Sequence, residues 1–357
     1  MADIGGNGGL RYAEHDRANE IPMKTSLRTS VHDRVATDAG GDVASHRRDP
    51  LTALAQRVDR AHIERRLVLE QHHERRVRRF GKRFFYIESW CSAHAVIRAS
   101  LRLVGLYGRA RRNAHALALR ENEVRLPNLP PALEGFTILH VSDPHVDLSA
   151  EITETLIERV RGLDYDLCVF TGDYRTDTFG PHEPTLDAMA RIRPHLTAPV
   201  YAVLGNHDSI RMVPGLEALD IRVLLNESVA IRHRGAELHV AGIDDAHHYR
   251  LHDLEKARSG IPPGAPSILL SHTPETYRHA AAAGFDVMLS GHTHGGQICL
   301  PGGYPLIIDA ECPRRFARGA WRFERLVGYT SVGSGSSIVD VRLNCPPEVT
   351  LHRLRPE

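Results

Sequence analysis

The sequence predicts an α/β protein with a layered sheet core, preceded by a basic and mainly helical extension. Three observations carry this. From about residue 134 onward, short apolar runs alternate with helical stretches, the pattern of helices packed on sheets. Most of those runs end in polar turns built from Gly, Asp, Asn and His. Arginines, by contrast, concentrate ahead of the first run. Between Arg47 and Arg120, 18 Lys and Arg stand against 6 Asp and Glu, while the whole chain of 357 residues carries only +1. Such asymmetry gives the basic part an anionic partner to look for.

Residues 1–50 are rich in Gly, Asp, Arg, Thr and Ala and poor in large apolar residues, a composition that predicts disorder. Residues 51–125 read as a helical extension and linker. Within it Ile97, Leu101, Val104 and Gly108 share one helical face, and Arg98, Arg102 and Arg109 share another. The aromatic stretch RFFYIESW lies just ahead. A basic amphipathic segment of this kind can lie on an anionic membrane surface. It can equally be a helical extension packed on the main domain, or a docking helix for a protein partner. The RRFGKRFF stretch at 78–85 resembles a twin-arginine export signal, but Arg98 and Arg102 interrupt the apolar segment that should follow. The expected location is therefore cytoplasmic, with peripheral attachment to the inner face of the membrane. No run of 18 apolar residues predicts a spanning helix. Five cysteines without CxxC spacing predict a reducing compartment and no disulfide framework.

After the proline-rich connector RLPNLPPALEGF the domain, assigned to 126–357, begins. Strands are predicted at FTILHVS, DLCVFTG, VYAVLGN, RVLLN, ELHVAGI, SILLSH and DVMLSGH, and helices over 151–162, 183–192 and 252–258. Five strands end alike: in Ser142-Asp143-Pro144-His145, Thr171-Gly172-Asp173, Gly205-Asn206-His207-Asp208, Ser271-His272 and Gly291-His292-Thr293-His294. In an open α/β sheet the carboxyl ends of strands converge on one edge. Residues two apart on extended backbone face one side, so Asp143 with His145, and His292 with His294, can point together. Oxygen and imidazole donors without thiolate suit Mn, Fe or Zn. Two cations held about 3.5–4 Å apart need a bridging carboxylate, and Asp173 is the natural candidate. Each motif alone also has a bland reading, as a turn, a helix cap or a core histidine. All five together in this order are a different matter.

The order DxH, GDYRTD, GNHD, a lone His at an apolar strand end and GHTH resembles the calcineurin-like metallophosphoesterases, over roughly residues 134–357. The sequel GGQICLP is similar to the bacterial branch containing membrane-associated phosphodiesterases and UDP-2,3-diacylglucosamine pyrophosphatases. The resemblance implies a layered β-sandwich core flanked by helices. It implies one metal held by Asp143, His145, Asp173 and His294, and a second held by Asp173, Asn206, His272 and His292. It makes His207 a residue that positions phosphate or protonates the leaving group, with Asp208 orienting it. Arg175 departs from the family's plainer residue and reads either as solvated surface or as a phosphate contact, since a guanidinium suits bidentate phosphate recognition. Asn206 is a second candidate for substrate contact, and Asp177 for a supporting role in uncertain register.

The implied activity is two-metal hydrolysis of phosphoester or pyrophosphate bonds. Its substrate is a lipid-linked pyrophosphate such as UDP-2,3-diacylglucosamine, a nucleotide or generic phosphodiester, or a phosphoprotein. A metal-free binding scaffold is the rival from another class, opposed by the filled ligand positions. Nucleic acid is not an expected partner, because the basic charge lies outside the catalytic domain with few aromatics interleaved.

Overall fold

Residues 51–80 and 91–357 are described by the computed structural model of the chain. The stretch predicted to be disordered and the aromatic cluster at Phe84, Phe85 and Tyr86 lie outside the described residues. Four helices come first: α1 (Leu51–Leu54), α2 (Arg60–Phe80), α3 (Cys91–Leu103) and α4 (Tyr107–Ala114). None of the described helices is long and apolar enough to cross a membrane.

The first half of the domain runs β1 (Ala118–Leu126), β2 (Thr137–Val141), α5 (Ala150–Val160), β3 (Leu167–Phe170), α6 (Glu183–Ile192), β4 (Val200–Ala202), α7 (Val213–Ala218) and β5 (Ile221–Val223). Next come β6 (Glu227–His233), β7 (Ala236–Gly242), α8 (Leu254–Arg258), β8 (Ser267–Leu270), α9 (Tyr277–Ala282) and β9 (Val287–Ser290). The last strands are β10 (Cys299–Leu300), β11 (Tyr304–Pro305), β12 (Gly319–Phe323), β13 (Leu326–Thr330) and β14 (Glu348–Pro356). They form two six-stranded sheets, ordered β1-β14-β2-β3-β4-β5 and β12-β13-β9-β8-β7-β6. Strands β2 to β5 are mutually parallel, as are β7, β8, β9 and β13.

Period-two burial explains the layering. In β2, Ile138 faces the other sheet while Leu139 and Val141 face helices. In β3, Leu167 and Val169 face inward, and Cys168 and Phe170 outward. Val240, Ile268, Leu270, Val287 and Leu289 answer from the second sheet. Each fully buried side chain of this size contributes about 1.5–3 kcal/mol. Helices α5, α6 and α7 cover the outer face of the first sheet through Leu156, Met189 and Leu216. Helices α8 and α9 cover the second through Ala257, Tyr277 and Ala280. The fold is thus mixed α/β, a two-sheet sandwich flanked by helices.

The first sheet also takes in β1, which pairs in parallel with β14. Residues 118–125, assigned from sequence to the extension and linker, therefore belong to a sheet of the domain. Helix α2 packs on the same sheet's helical layer through Ile63 and Leu67. Helix α3 is seated by Leu101 against Val339, Val341 and Leu343, while Val104 on the face predicted to be apolar is exposed.

Candidate metal centre

The carboxyl ends of β2, β3 and β4 meet those of β8 and β9 across the sandwich. There the chain leaves regular geometry: Asp143, His145, Asp173, His292 and His294 have φ of 48, 41, 55, 71 and 47°. Left-handed backbone at non-glycine residues costs about 1–3 kcal/mol each and clusters at functional sites. Glycines permit the close approach. A Cβ on Gly205 would lie 2.1 Å from Asp173 Oδ1, and one on Gly291 would lie 2.2 Å from Asp143 Oδ2.

Two groups of buried donors form. Asp143, His145 and His294 make one, Asp173, His272 and His292 the other, with donor atoms within 4.8 Å of one another in each. Asn206 Oδ1 joins the second, 2.9 Å from His272 Nε2. Asp173 Oδ2 lies 3.3 Å from His272 Nε2 and 4.0 Å from His145 Nε2, between the groups. The seven residues expected as ligands are therefore brought together, with Asp173 nearer the second group.

Backbone bonds aim the rings. His145 Nδ1 donates to the Arg175 carbonyl and His272 Nδ1 to the Thr171 carbonyl, both at 2.8 Å, so each turns Nε2 inward. His145 Nε2 and His294 Nε2 face each other at 3.1 Å. His292 Nε2 is buried without a partner. Burial pushes His145 down to about 4, and His292 and His294 well below the ordinary histidine range. Burial also opposes charge on His272, but Asp173 beside it lifts that ring to about 10. For Asp173, burial is outweighed by His272 and His207, which hold it well below the usual carboxylate range. Asp143 is pushed up to about 7 by burial, with Asp173 adding to the effect. Four inward imidazoles, three of them (His145, His292 and His294) held neutral by burial, with two carboxylates and one amide oxygen, are a donor set that fits a pair of divalent cations.

His207 stands at the edge, its Nε2 3.9 Å from Asp173 Oδ2 and its Nδ1 3.1 Å from Thr178 Oγ1. Asp208 differs from expectation. Its carboxylate accepts backbone N–H groups of Asp173, Tyr174 and Gly205, so any support for His207 runs through the turn. Burial and Asp173 raise it to about 6. Arg175 is 2% exposed, which rules out the solvated reading. Its Nε donates to the Asp177 carbonyl, and Nη2 is buried without a partner. The Asp177 side chain itself is exposed, so this position supports the loop through its backbone.

Sequence reasoning missed three contacts. The fully buried Arg342 brings Nη2 to 3.1 Å from His294 Nδ1 and donates to the Val332 carbonyl at 2.7 Å. His247 lies against His292, its ring tilted by 48° with centroids 4.2 Å apart, and Glu275 lies 3.0 Å from its Nδ1. No motif marks any of these residues.

Residues 136–296 match the profile of the family described as Calcineurin-like phosphoesterase. A transmembrane protein with metallophosphoesterase domain from Bos taurus is 31% identical over 250 residues, 64% of this chain and 55% of that protein. The chain thus spans about half of that relative. The metallophosphoesterase YkoQ of Bacillus subtilis is 29% identical over 63% of this chain and 85% of its own. Phosphodiesterase YaeI of Escherichia coli is 28% identical over 61% of this chain and 82% of its own.

Proposed function

The chain belongs to the calcineurin-like phosphoesterase family and carries its metal-dependent phosphoesterase domain; from that premise we propose that it hydrolyses phosphodiester or pyrophosphate bonds presented at an anionic lipid surface. The observation that carries the chemistry is the position of Asp173 between two buried donor groups, 3.3 Å from His272 Nε2 and 4.0 Å from His145 Nε2, with His207 alongside. Asp143, His145, Asp173 and His294 would hold one divalent ion (Mn, Fe or Zn), and Asp173, Asn206, His272 and His292 a second; the pair would supply Lewis-acid polarisation of a phosphoryl oxygen and a water of lowered pKa, towards about 7. His207 donates to a phosphoryl oxygen or to the departing oxygen, a positioned proton transfer that typically contributes about 10²–10⁴-fold. Arg175, with one unpartnered donor, and the Asn206 amide bind the phosphate.

Support for a lipid surface comes from the segment after the histidine turn. Leu300, Tyr304, Leu306 and Ile307 are exposed on the β10–β11 hairpin and the residues following it. That hairpin abuts the ligand turn, since a Cβ on Gly296 would lie 2.5 Å from Pro305 Cβ. Val96, Leu103 and Val104 are exposed on and just after α3, whose Arg98 and Arg102 supply positive charge. A lipid-linked pyrophosphate of the UDP-2,3-diacylglucosamine kind is the specific substrate we favour. The similarity to a phosphodiesterase supports a soluble phosphodiester or nucleotide as the second reading.

The test is a rate comparison of the Mn²⁺-loaded chain on UDP-2,3-diacylglucosamine in mixed micelles, on bis-(p-nitrophenyl) phosphate and on nucleotides, with sedimentation on anionic vesicles. The lipid reading expects faster turnover of the lipid substrate, and vesicle binding that falls in Leu306→Ser/Ile307→Ser. Equal rates without vesicle binding leave a soluble phosphodiesterase. Absence of metal-dependent turnover on all of them contradicts both.

A further inference from the structure

Helix α2 belongs to the basic extension ahead of the domain, yet it carries a fully buried arginine beside the turn that bears His207. Arg66 Nη2 donates to the Asp208 carbonyl at 2.9 Å, Nη1 to Asp244 Oδ1 at 2.7 Å and Nε to Glu70 Oε1 at 3.0 Å. Its guanidinium carbon lies 3.6 Å over the Tyr249 ring. Glu70, one turn further along the same face, accepts the Ile210 backbone N–H at 2.8 Å and the Ser209 hydroxyl at 2.6 Å. A cation and an anion four residues apart therefore grip a carbonyl and an amide two residues apart.

What they grip is the turn Gly205–Ile210, which carries Asn206 and His207. Asp208 passes the hold on, because its carboxylate ties that turn to the amides of Asp173 and Tyr174. Asp244 follows β7 of the second sheet, and Asp208 follows β4 of the first. Arg66 thus spans the two sheets beside the cleft where each contributes its own ligands: Asp143, His145, Asp173 and Asn206 from one, His272, His292 and His294 from the other. His62 Nε2, also on α2, reaches Asp244 Oδ2 at 2.8 Å. Stability alone does not call for such a device, since well-packed apolar residues often replace a buried ion pair at no loss. The pair instead fixes one geometry of the turn.

We propose that Arg66 and Glu70 are positioning residues for hydrolysis, holding the Asn206–His207 turn and the two sheets in the register the reaction needs. The inference rests on the reading above in which His207 acts at the phosphoryl or departing oxygen.

The experiment compares full-length wild type, Arg66→Met, Arg66→Lys and Glu70→Gln, each loaded with Mn²⁺. Measured are metal content, Tm, and kcat and KM on an aryl diester, bis-(p-nitrophenyl) phosphate, and on an alkyl ester, a dialkyl phosphate whose departing alkoxide needs a proton. Displacing a group by about 1 Å costs on the order of 10²-fold. Arg66→Met and Glu70→Gln are therefore expected to keep their metal and KM while kcat on the alkyl ester falls by roughly 10–10²-fold. The aryl diester, which needs no proton on its departing oxygen, falls less. Arg66→Lys keeps the charge but not the three-way fork, so Tm recovers towards wild type while kcat stays low. The proposal is overturned if kcat simply tracks Tm across the variants, or if the folded Glu70→Gln chain keeps wild-type rates on both esters. Should Arg66→Met fail to fold, Glu70→Gln and Ser209→Ala decide on the same readouts. Wild type without metal-dependent turnover would instead remove the hydrolase reading itself.

Discussion

The ligand turns and the arginine-rich helices ahead of the first sheet are built on opposite terms. The turns leave favoured backbone geometry at Asp143, His145, Asp173, His292 and His294, and neighbouring carbonyls and amides hold them there. The helices have ordinary backbone, and everything depends on what their charges meet. In α2, Arg66 finds Asp244, Glu70 and the Asp208 carbonyl and is buried completely. In α3, Arg98 and Arg102 stay exposed beside uncovered apolar residues. One basic stretch thus has two destinies, and the difference lies in acids that come from elsewhere in the fold. Local charge says that a partner is wanted, and tertiary structure says which.

The largest effect that would break this contrast lies in the turns. Asp173→Asn removes the anion that lies between the two donor groups, so both ions and nearly all turnover should be lost, as read by elemental analysis and rate. Retention of a full metal complement would show that the bridge is not needed. His207→Ala should keep the metals and lose roughly 10²–10⁴-fold in kcat; metal loss in that variant would make His207 a ligand. The helices should separate sharply from each other. Breaking a buried ion pair costs about 3–5 kcal/mol, whereas exposed substitutions stay within about 0.5 kcal/mol. Urea denaturation of Arg66→Met against Arg98→Ala measures this, and equal midpoints would erase the distinction between α2 and α3.

A smaller effect tests the sheet that supports the turns. His140 in β2 is fully buried, held down to about 3 by burial, and His352 in β14, 3.2 Å away, lies well below its ordinary range for the same reason. Both rings are neutral in the fold, while the unfolded chain takes up their protons below about 6.5. The stability is therefore complete above that pH and is lost as pH falls towards the folded values, by about 1.4 kcal/mol per ring one unit below 6.5. Tm should drop from pH 7 to 5.5, and less steeply in His352→Gln; a flat profile would mean that the rings are solvated.

These regions also differ in how legible they were. The five turns stood out because cation binding needs Asp, His and Asn beside glycine at strand ends, and nothing in a packed core imitates that order. Strands β2, β3, β8 and β9 read as continuous apolar runs since both faces are buried. Strand β1, ALRENEVRL, hides its two buried residues, Val124 and Leu126, among charges because it is an edge. Helix α2 could not be placed from sequence, for its partner Asp244 lies 178 residues from Arg66. Arg342 and the His247–Glu275 pair reach the site by tertiary packing alone. Asp208 was found as a residue but not as a tie between turns, since its partners are backbone amides and leave no side-chain signature.

The most direct test of the shared-carboxylate account is electron paramagnetic resonance of the chain titrated with Mn²⁺. Loading should end at an ion pair per chain with a spin-coupled signal, as expected for ions about 3.5–4 Å apart, and coupling should vanish in Asp173→Asn. A full complement of magnetically isolated Mn²⁺ in the wild-type chain would contradict it.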